Sequence, residues 1–568
     1  MKQPNQTNAS RQGHPGRPEH PGPSEHLGPR YSRRTNRSRT GTCLLILALF
    51  SFAGTAHALD RTPGWPEAST QTETPFAIRG FHIDLRVQVM TVQALKDFAR
   101  ELADFGMNTL VMEWEASYPY DRHATISNPH AYTRDEVRDF VAYCDSLGIE
   151  VIPLQQCFGH VEYILQHGRY NHLKESRTDL SQVCPLKVEE NRALFTALFE
   201  DMASLHPSKY IHIGGDETRL LGHCDQCAAV AAAEGTGKLF ADYLVMICDV
   251  VTRLGKIPVL WADIVLEYPE VVDRLPRETV YVDWNYGWAI NRFGNVDQLV
   301  SKGLNFWGSP AIRSHPDNWY TTDWQKHFNN QRDFIPYARQ TGYQGVVMTS
   351  WSTSGVYGYT WETDYEAIRI HPMRNVYPLS GFRILVASYA QAVAQEEPLD
   401  PREFVIGYAM ERFGLSRDEG ETLWQVLEAS PALARVEDPE EVDAIRMEVR
   451  QAVARMGTLT PRSHREEFAH LQLMLDLRSF SLDVRKVESV YESARYDRSM
   501  AGTILPDLER LMEESDRLDE RFTALNEGFL KPAELTEQNR IRSEKLRKIH
   551  AAVEQAAVEQ AAAEQAAR

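Results

Sequence analysis

The chain has 568 residues, 43% of them hydrophobic and 25% charged, with a formal charge of −18 at pH 7. That length holds one large domain and a smaller one, and the balance is that of an ordinary soluble globular protein. The acidic excess argues against a polyanion such as nucleic acid as partner.

Residues 1–40 are rich in Pro, Gly, Asn and Arg and show no apolar periodicity. An apolar run from Cys43 to Ala53 follows Arg33, Arg34, Arg37 and Arg39 and leads into Ala56-His-Ala58. The run is too short to span a bilayer comfortably. Basic flank, short apolar core and small-x-small site read as a secretory signal cut after Ala58. Residues 1–58 are therefore expected to direct export to the periplasm or exterior, with no stable membrane insertion after cleavage; an uncleaved anchor is the alternative. Residues 59–75 read as a linker.

From 76 to 385 short β-rich runs alternate with longer helical stretches, the signature of βα units. The runs are Ile78–Asp84, Thr109–Glu113, Val151–Leu154, Tyr210–Gly214, Pro258–Trp261, Val280–Trp284, Asn305–Gly308 and Gly345–Ser350. The helical stretches between them include Val92–Phe105, Arg134–Leu147, Glu189–Leu205 and Leu239–Leu254, and several stop at Gly. Eight such units predict an α/β fold, a (β/α)8 TIM barrel whose functional face lies at the strand tips. Residues 386–530, rich in Leu, Glu, Arg and Ala, predict a mostly α-helical C-terminal domain packed on it. Residues 531–568 end in a five-residue Ala/Glu/Gln repeat that keeps no single face buried, and predict a solvated, frayed helix or a disordered tail.

Six cysteines remain beyond the leader: 144, 157, 184, 224, 227 and 248. They are too sparse for a disulfide scaffold. Cys224-Asp-Gln-Cys227 after His223 has the form of half a zinc site, but no second CxxC or HxxxH follows to complete it. A local disulfide or two buried thiols is the reading, with no metal and no cofactor expected.

The chemistry centres on Tyr210-Ile-His-Ile-Gly-Gly-Asp-Glu-Thr218. The two glycines mark a close approach of backbone and ligand, and Asp216 and Glu217 leave the strand pointing in different directions. Conventional retaining glycosidases hold two carboxyls about 5–5.5 Å apart across the scissile bond, and inverting ones hold them further apart. Vicinal carboxylates suit a substrate-assisted reaction better, with the nucleophile supplied by the substrate's own 2-acetamido group.

His212-Ile-Gly-Gly-Asp-Glu217 resembles the signature of glycoside hydrolase family 20, the β-N-acetylhexosaminidases. Met112–Tyr120 and Val151–His160 are similar to its hexosaminidase D branch in particular. The resemblance implies an exo-acting enzyme that removes terminal β-linked GlcNAc or GalNAc with retention, its partners being N-acetylhexosamine-containing glycans. It makes Glu217 the general acid/base and Asp216 the residue that steadies an oxazolinium-like intermediate. His160, in Gly159-His160, tunes the acid, and Glu115 is the closest match for the carboxylate completing that relay. Trp261, Trp284 and Trp351 at strand tips are expected to box the acetamide. Tyr286 could replace a family Tyr that bonds its carbonyl. Asp84 and Arg86 are expected to grip sugar hydroxyls, Arg79 competing with Arg86. After Trp351 stands Ser352-Thr-Ser-Gly355 where many members carry an acid, so the choice between gluco and galacto sugars stays open. A non-hydrolytic glycan-binding barrel and an enzyme releasing disaccharides are the other readings.

Overall fold

The structure is a computed structural model and describes residues 74–86, 88–314, 321–352, 377–428, 439–493 and 495–567. The expected leader lies outside these residues, as does all of the linker but its last two residues.

Nine strands form one parallel sheet: β1 (Ile78–Asp84), β2 (Thr109–Glu113), β3 (Glu150–Leu154), β4 (Tyr210–His212), β5 (Ile257–Trp261), β6 (Val280–Trp284), β7 (Asn305–Ser309), β8 (Ala311–Arg313) and β9 (Gly345–Ser350). β1 pairs with β2 on one side and with β9 on the other, Ile78 opposite Gly345 and Phe81 opposite Met348, so the sheet closes. β7 and β8 both lie along β9 and are separated by Pro310 alone. Together they make one barrel strand, interrupted because proline has no N–H for the ladder. The barrel is therefore eight-stranded, a (β/α)8 architecture with every predicted strand in place.

The helices form where their end signals predict. Thr91 accepts the N–H of Ala94 to start Val92–Asp104, and Thr133 with Glu136 forms a capping box on Arg134–Ser146. The chain leaves these helices through Gly106 and Gly148. Between β5 and β6 the crossover is short, the helix Asp263–Glu267 and the 3-10 turn Pro269–Arg274.

Helix Arg383–Ala394 runs through the boundary predicted at 385. It covers the barrel seam: the Tyr389 hydroxyl donates to Gly80 O at 2.8 Å, with Val346 O at 3.1 Å. Among the described residues six further α-helices follow, Pro401–Phe413, Arg417–Glu428, Pro439–Met456, Arg465–Tyr491, Ala501–Asn526 and Pro532–Ala567. They share one continuous hydrophobic core with the barrel's outer layer. The Phe328 ring lies 6.0 Å from Phe404 and 6.3 Å from Trp424. Thr91 N donates to Phe529 O at 2.8 Å and Lys531 N to Val89 O at 3.0 Å.

The predicted tail, 531–568, is the whole of the last helix, which is regular to Ala567 and buries Leu535, Ile541, Leu546 and Ile549 against its neighbours rather than standing solvated. Val553 and Ala556 are buried and Val558 is exposed. The five-residue repeat indeed holds no continuous stripe, but its first turn sets Val553 and Ala556 on the docked side, three residues apart. Among the described residues no helix is long and apolar enough to cross a membrane.

Candidate active site

Alternate residues of each barrel strand face the interior. The lower layers are apolar: Val111, Ile152, Leu154, Val259, Val280, Val282, Trp307 and Val347, with Trp261 above them and Trp284 and Trp351 half-buried at the rim. The same alternation climbs β4 through Tyr210 and His212, and the turn at Gly214 and Gly215 leads on to Asp216. On β5 it passes Ile257, Val259 and Trp261, and Asp263 opens the helix that follows. Polar groups stand among the tryptophans. His82 Nε2 lies 2.9 Å from Glu113 Oε2, both fully buried, and Gln156 Nε2 donates to Glu113 Oε1 at 3.1 Å. Burial pushes His212 down to about 3, so its neutral ring accepts the Gly214 N–H at Nδ1, 3.1 Å away.

Gly214 has φ +69°, and a Cβ there would stand 1.8 Å from Gln156 Oε1. Only glycine fits that turn, and the turn delivers the two carboxylates. Asp216 is buried, with Oδ2 3.3 Å from His160 Nε2. Glu217 is the more exposed, its side chain 22% accessible against 9% for Asp216, with Oε2 3.5 Å from the same nitrogen. Its other oxygen accepts from Arg219 Nη2 at 2.5 Å. Burial opposes charge on His160, but Asp216, then Glu162 and Glu217, outweigh it and push the imidazole up to about 9. Burial would raise the Asp216 carboxyl, yet His160 holds it below the usual range. Five described non-glycine residues have positive φ, and Glu115 (+43°), His160 (+54°) and Glu217 (+47°) are three of them. Such strain persists where surrounding structure enforces it, often at functional sites.

Three polar groups around Asp216, Glu217 and His160 were not singled out from the sequence, nor were His82, Glu113 and Gln156 among the tryptophans. Asp263 Oδ2 accepts the Glu217 N–H at 3.0 Å, and burial, then Asp216, push its carboxyl up to about 7. Its signal was positional: Asp263 opens the helix Asp263–Glu267 two residues after β5 ends at Trp261, and the segment leaving a strand tip is where a barrel's functional residues gather. Glu162, two residues after His160, is buried and adds to the charge that holds His160 protonated. Arg219 gave no local signal.

The other predicted residues form a second group beside the first. Arg86 makes two contacts of 3.0 Å with the Asp84 carboxylate, and Asp84 Oδ2 also accepts the Ser352 N–H at 2.9 Å. Glu115, expected to complete a relay with His160, has Oε1 3.6 Å from Arg86 Nε. Burial raises the Glu115 carboxyl well above its usual range, Arg86 opposing. Arg79 lies at the opposite end of β1, tied to Gly106 O and Phe76 O at 2.8 and 2.9 Å, and does not join the site. The Arg86 guanidinium stands 5.2 Å over the Trp351 ring. Trp351 Nε1 donates to the Tyr286 hydroxyl at 2.8 Å, and Trp261 and Trp284 lie 5.7 Å from Trp351 and 5.1 Å from Tyr286 respectively. The four predicted aromatics thus join into one wall. Cys224 and Cys227 are free thiols, not a disulfide, and Cys184 lies against both.

A closed parallel barrel carrying neighbouring carboxylates and an aromatic wall at its strand tips defines a (β/α)8 glycoside hydrolase. The sequence matches the glycosyl hydrolase family 20 catalytic domain over residues 76–362, and the chain belongs to that family. It is 26% identical to hexosaminidase D of Bos taurus over 291 residues, 48% of this chain and 84% of that protein. Against hexosaminidase D of Homo sapiens identity is 26% over 49% of this chain and 60% of the relative, and against a β-hexosaminidase of Akkermansia muciniphila it is 24% over 45% and 58%. The match thus spans less than two thirds of those last two relatives. Among solved structures, the β-N-acetylhexosaminidase of Bacteroides fragilis aligns at 19% identity and a TM-score of 0.45, over 63% of this chain and 72% of that one.

Proposed function

We propose that the chain is an exo-acting β-N-acetylhexosaminidase that hydrolyses terminal β-linked GlcNAc or GalNAc with retention, through substrate assistance. The observation that carries this is the convergence of Asp216 and Glu217, adjacent in sequence, on one nitrogen of His160. Two carboxylates anchored side by side do not readily flank a bond from opposite faces, which supports a nucleophile supplied by the substrate. Glu217, on the more accessible side, protonates the departing oxygen and then activates water. Buried Asp216 takes the acetamide N–H and stabilises the positive charge that grows as the carbonyl oxygen attacks. Trp261, Trp284 and Trp351 hold the acetamide in the attacking pose. Asp84 and Arg86 hold the sugar hydroxyls.

Chromogenic β-glycosides test this directly. The 2-acetamido sugars are expected to turn over and the β-glucoside, with a hydroxyl at that position, to be inert. A thiazoline mimic of the cyclised intermediate should bind about 10²-fold or more tighter than the sugar product. A covalent glycosyl adduct on an enzyme carboxylate, seen by intact mass after treatment with a 2-fluoro sugar, would mean a protein-borne nucleophile and end this mechanism. Release of disaccharide rather than monosaccharide from a chito-oligomer would overturn exo action. The basic flank and short apolar run before Ala58 support export, and N-terminal sequencing of exported protein should begin at Leu59.

A further inference from the structure

The CxxC that looks in sequence like half a metal site has its missing half upstream. Cys184 Sγ lies 3.6 Å from Cys227 Sγ and 3.9 Å from Cys224 Sγ. Glu175 Oε2 lies 3.4 Å from Cys227 Sγ, and one donor atom from each of these four residues falls within 4.8 Å of every other. These separations are too long for a disulfide, whose sulfurs sit about 2.05 Å apart. They match the edges of a metal-centred tetrahedron: Zn–S bonds of about 2.3 Å and Zn–O bonds of about 2.0–2.2 Å set S···S near 3.8 Å and S···O near 3.5 Å.

The surroundings point the same way. Glu175, Cys184 and Cys227 are buried, and Leu239, Leu186, Leu221 and Val230 pack around the thiols. An ionised carboxylate in such a place is stabilised by a cation, and among the described residues Glu175 has no Lys, Arg or His ion pair, its carboxylate meeting Cys184, Cys227 and the Cys224 N–H at 2.7 Å. The Cys227 N–H is directed at Cys224 Sγ, 3.4 Å away, as backbone amides support metal-bound thiolates.

We propose that Cys184, Cys224, Cys227 and Glu175 bind one Zn2+ as a closed, structural site. Four protein donors in an apolar enclosure fill a tetrahedral shell and leave no position for substrate. Its role follows from the two loops it joins. Cys184 and Glu175 lie in the β3 loop, where Val183 N donates to Phe158 O at 3.2 Å and Val161 N to Ser181 O at 3.3 Å, bracketing His160. Cys224 and Cys227 start helix Asp225–Glu234 in the β4 loop, seven residues after Glu217. The loops already touch, since a Cβ on Gly159 would come within 2.5 Å of Asp216 O. The ion clamps the loop holding His160 to the loop holding Asp216 and Glu217.

The test is metal analysis of the full chain purified under reducing conditions with zinc supplied. One zinc per chain is expected, with the Cys184→Ser/Cys227→Ser double variant losing it and Cys144→Ala, at a buried thiol outside the cluster, keeping it. Co2+ in place of zinc should give a thiolate charge-transfer band and the intense visible bands of a tetrahedral site. On the wild-type chain, needing no variant to fold, three thiols should become reactive only once zinc is stripped under native conditions. Substoichiometric zinc after gel filtration, equal zinc in wild type and double variant, or a metal-free chain lacking two hydrogens because Cys184 and Cys227 have oxidised together would each overturn the site. None of these readouts depends on turnover, so the proposed activity stands or falls separately.

Discussion

At Glu217 the backbone sits at φ +47°, a left-handed conformation that costs an L-residue about 1–2 kcal/mol. Glycine enters it freely, so Glu217→Gly should be more stable than Glu217→Ala by about 1 kcal/mol, reversing the usual order in regular structure. Urea denaturation of the pair decides; a less stable glycine variant would mean the strain is not there. Glu217→Gln keeps shape and removes the transferable proton, so kcat on substrates with poor leaving groups should fall about 10²–10⁴-fold. Thiazoline affinity should be nearly unchanged. Near-normal turnover of a natural disaccharide by that variant would remove Glu217 from the acid role. His160 has its own signature in pH. Its folded-state value is raised from 6.5 to about 9 by Asp216, Glu162 and Glu217. The stabilisation is therefore full below 6.5 and is lost as pH rises through 9, on the order of 3 kcal/mol in all. The stability difference between wild type and His160→Gln should shrink across that window, and a flat difference would contradict the His160–Asp216 pairing.

Among the elements, strands were the most legible because apolar runs of four to seven residues between helical stretches have few other interpretations. All eight runs are strands, and the pleat then places Trp261, Trp284 and Trp351 at one rim. Asp263 escaped notice because it follows the strand, where chemistry is read from motifs more readily than from alternation. Helix Arg383–Ala394 was cut by a predicted boundary since composition changes gradually there, while its membership of the barrel rests on a contact: Tyr389 to Gly80 O, 309 residues away. No local pattern encodes that. Tyr389→Phe should cost about 1 kcal/mol of stability and leave KM unchanged, as thermal melts and steady-state kinetics would show; a raised KM would mean the seam reaches the substrate. Downstream of Cys227 the sequence holds no second CxxC, and Cys184 joins Cys224 and Cys227 only through the packing of two loops.

On the scale of the whole molecule, the C-terminal helices pack on the barrel as their composition predicts, and they do so through a core continuous with its outer layer rather than as a separate domain. Removing residues 551–568 uncovers the groups that Val553 and Ala556 cover. Stability should fall by about 2 kcal/mol and kcat/KM should hold, since the strand tips are built from other segments. Calorimetry with kinetics checks both, and an unchanged melting temperature would mean the last turns carry no load. The pairing of Thr91 with Gly528 and Phe529 has a further consequence, in time rather than energy. Thr91 Oγ1 donates to Gly528 O across 437 residues, and Lys531 N returns to Val89 O, so the segment just after Asp84 and Arg86 is braced by a stretch made 437 residues later. A ribosome needs tens of seconds to cover that distance. Through that interval the nascent barrel has its first strand but not its first brace, and the uncovered surface around β1 is what a chaperone would shield.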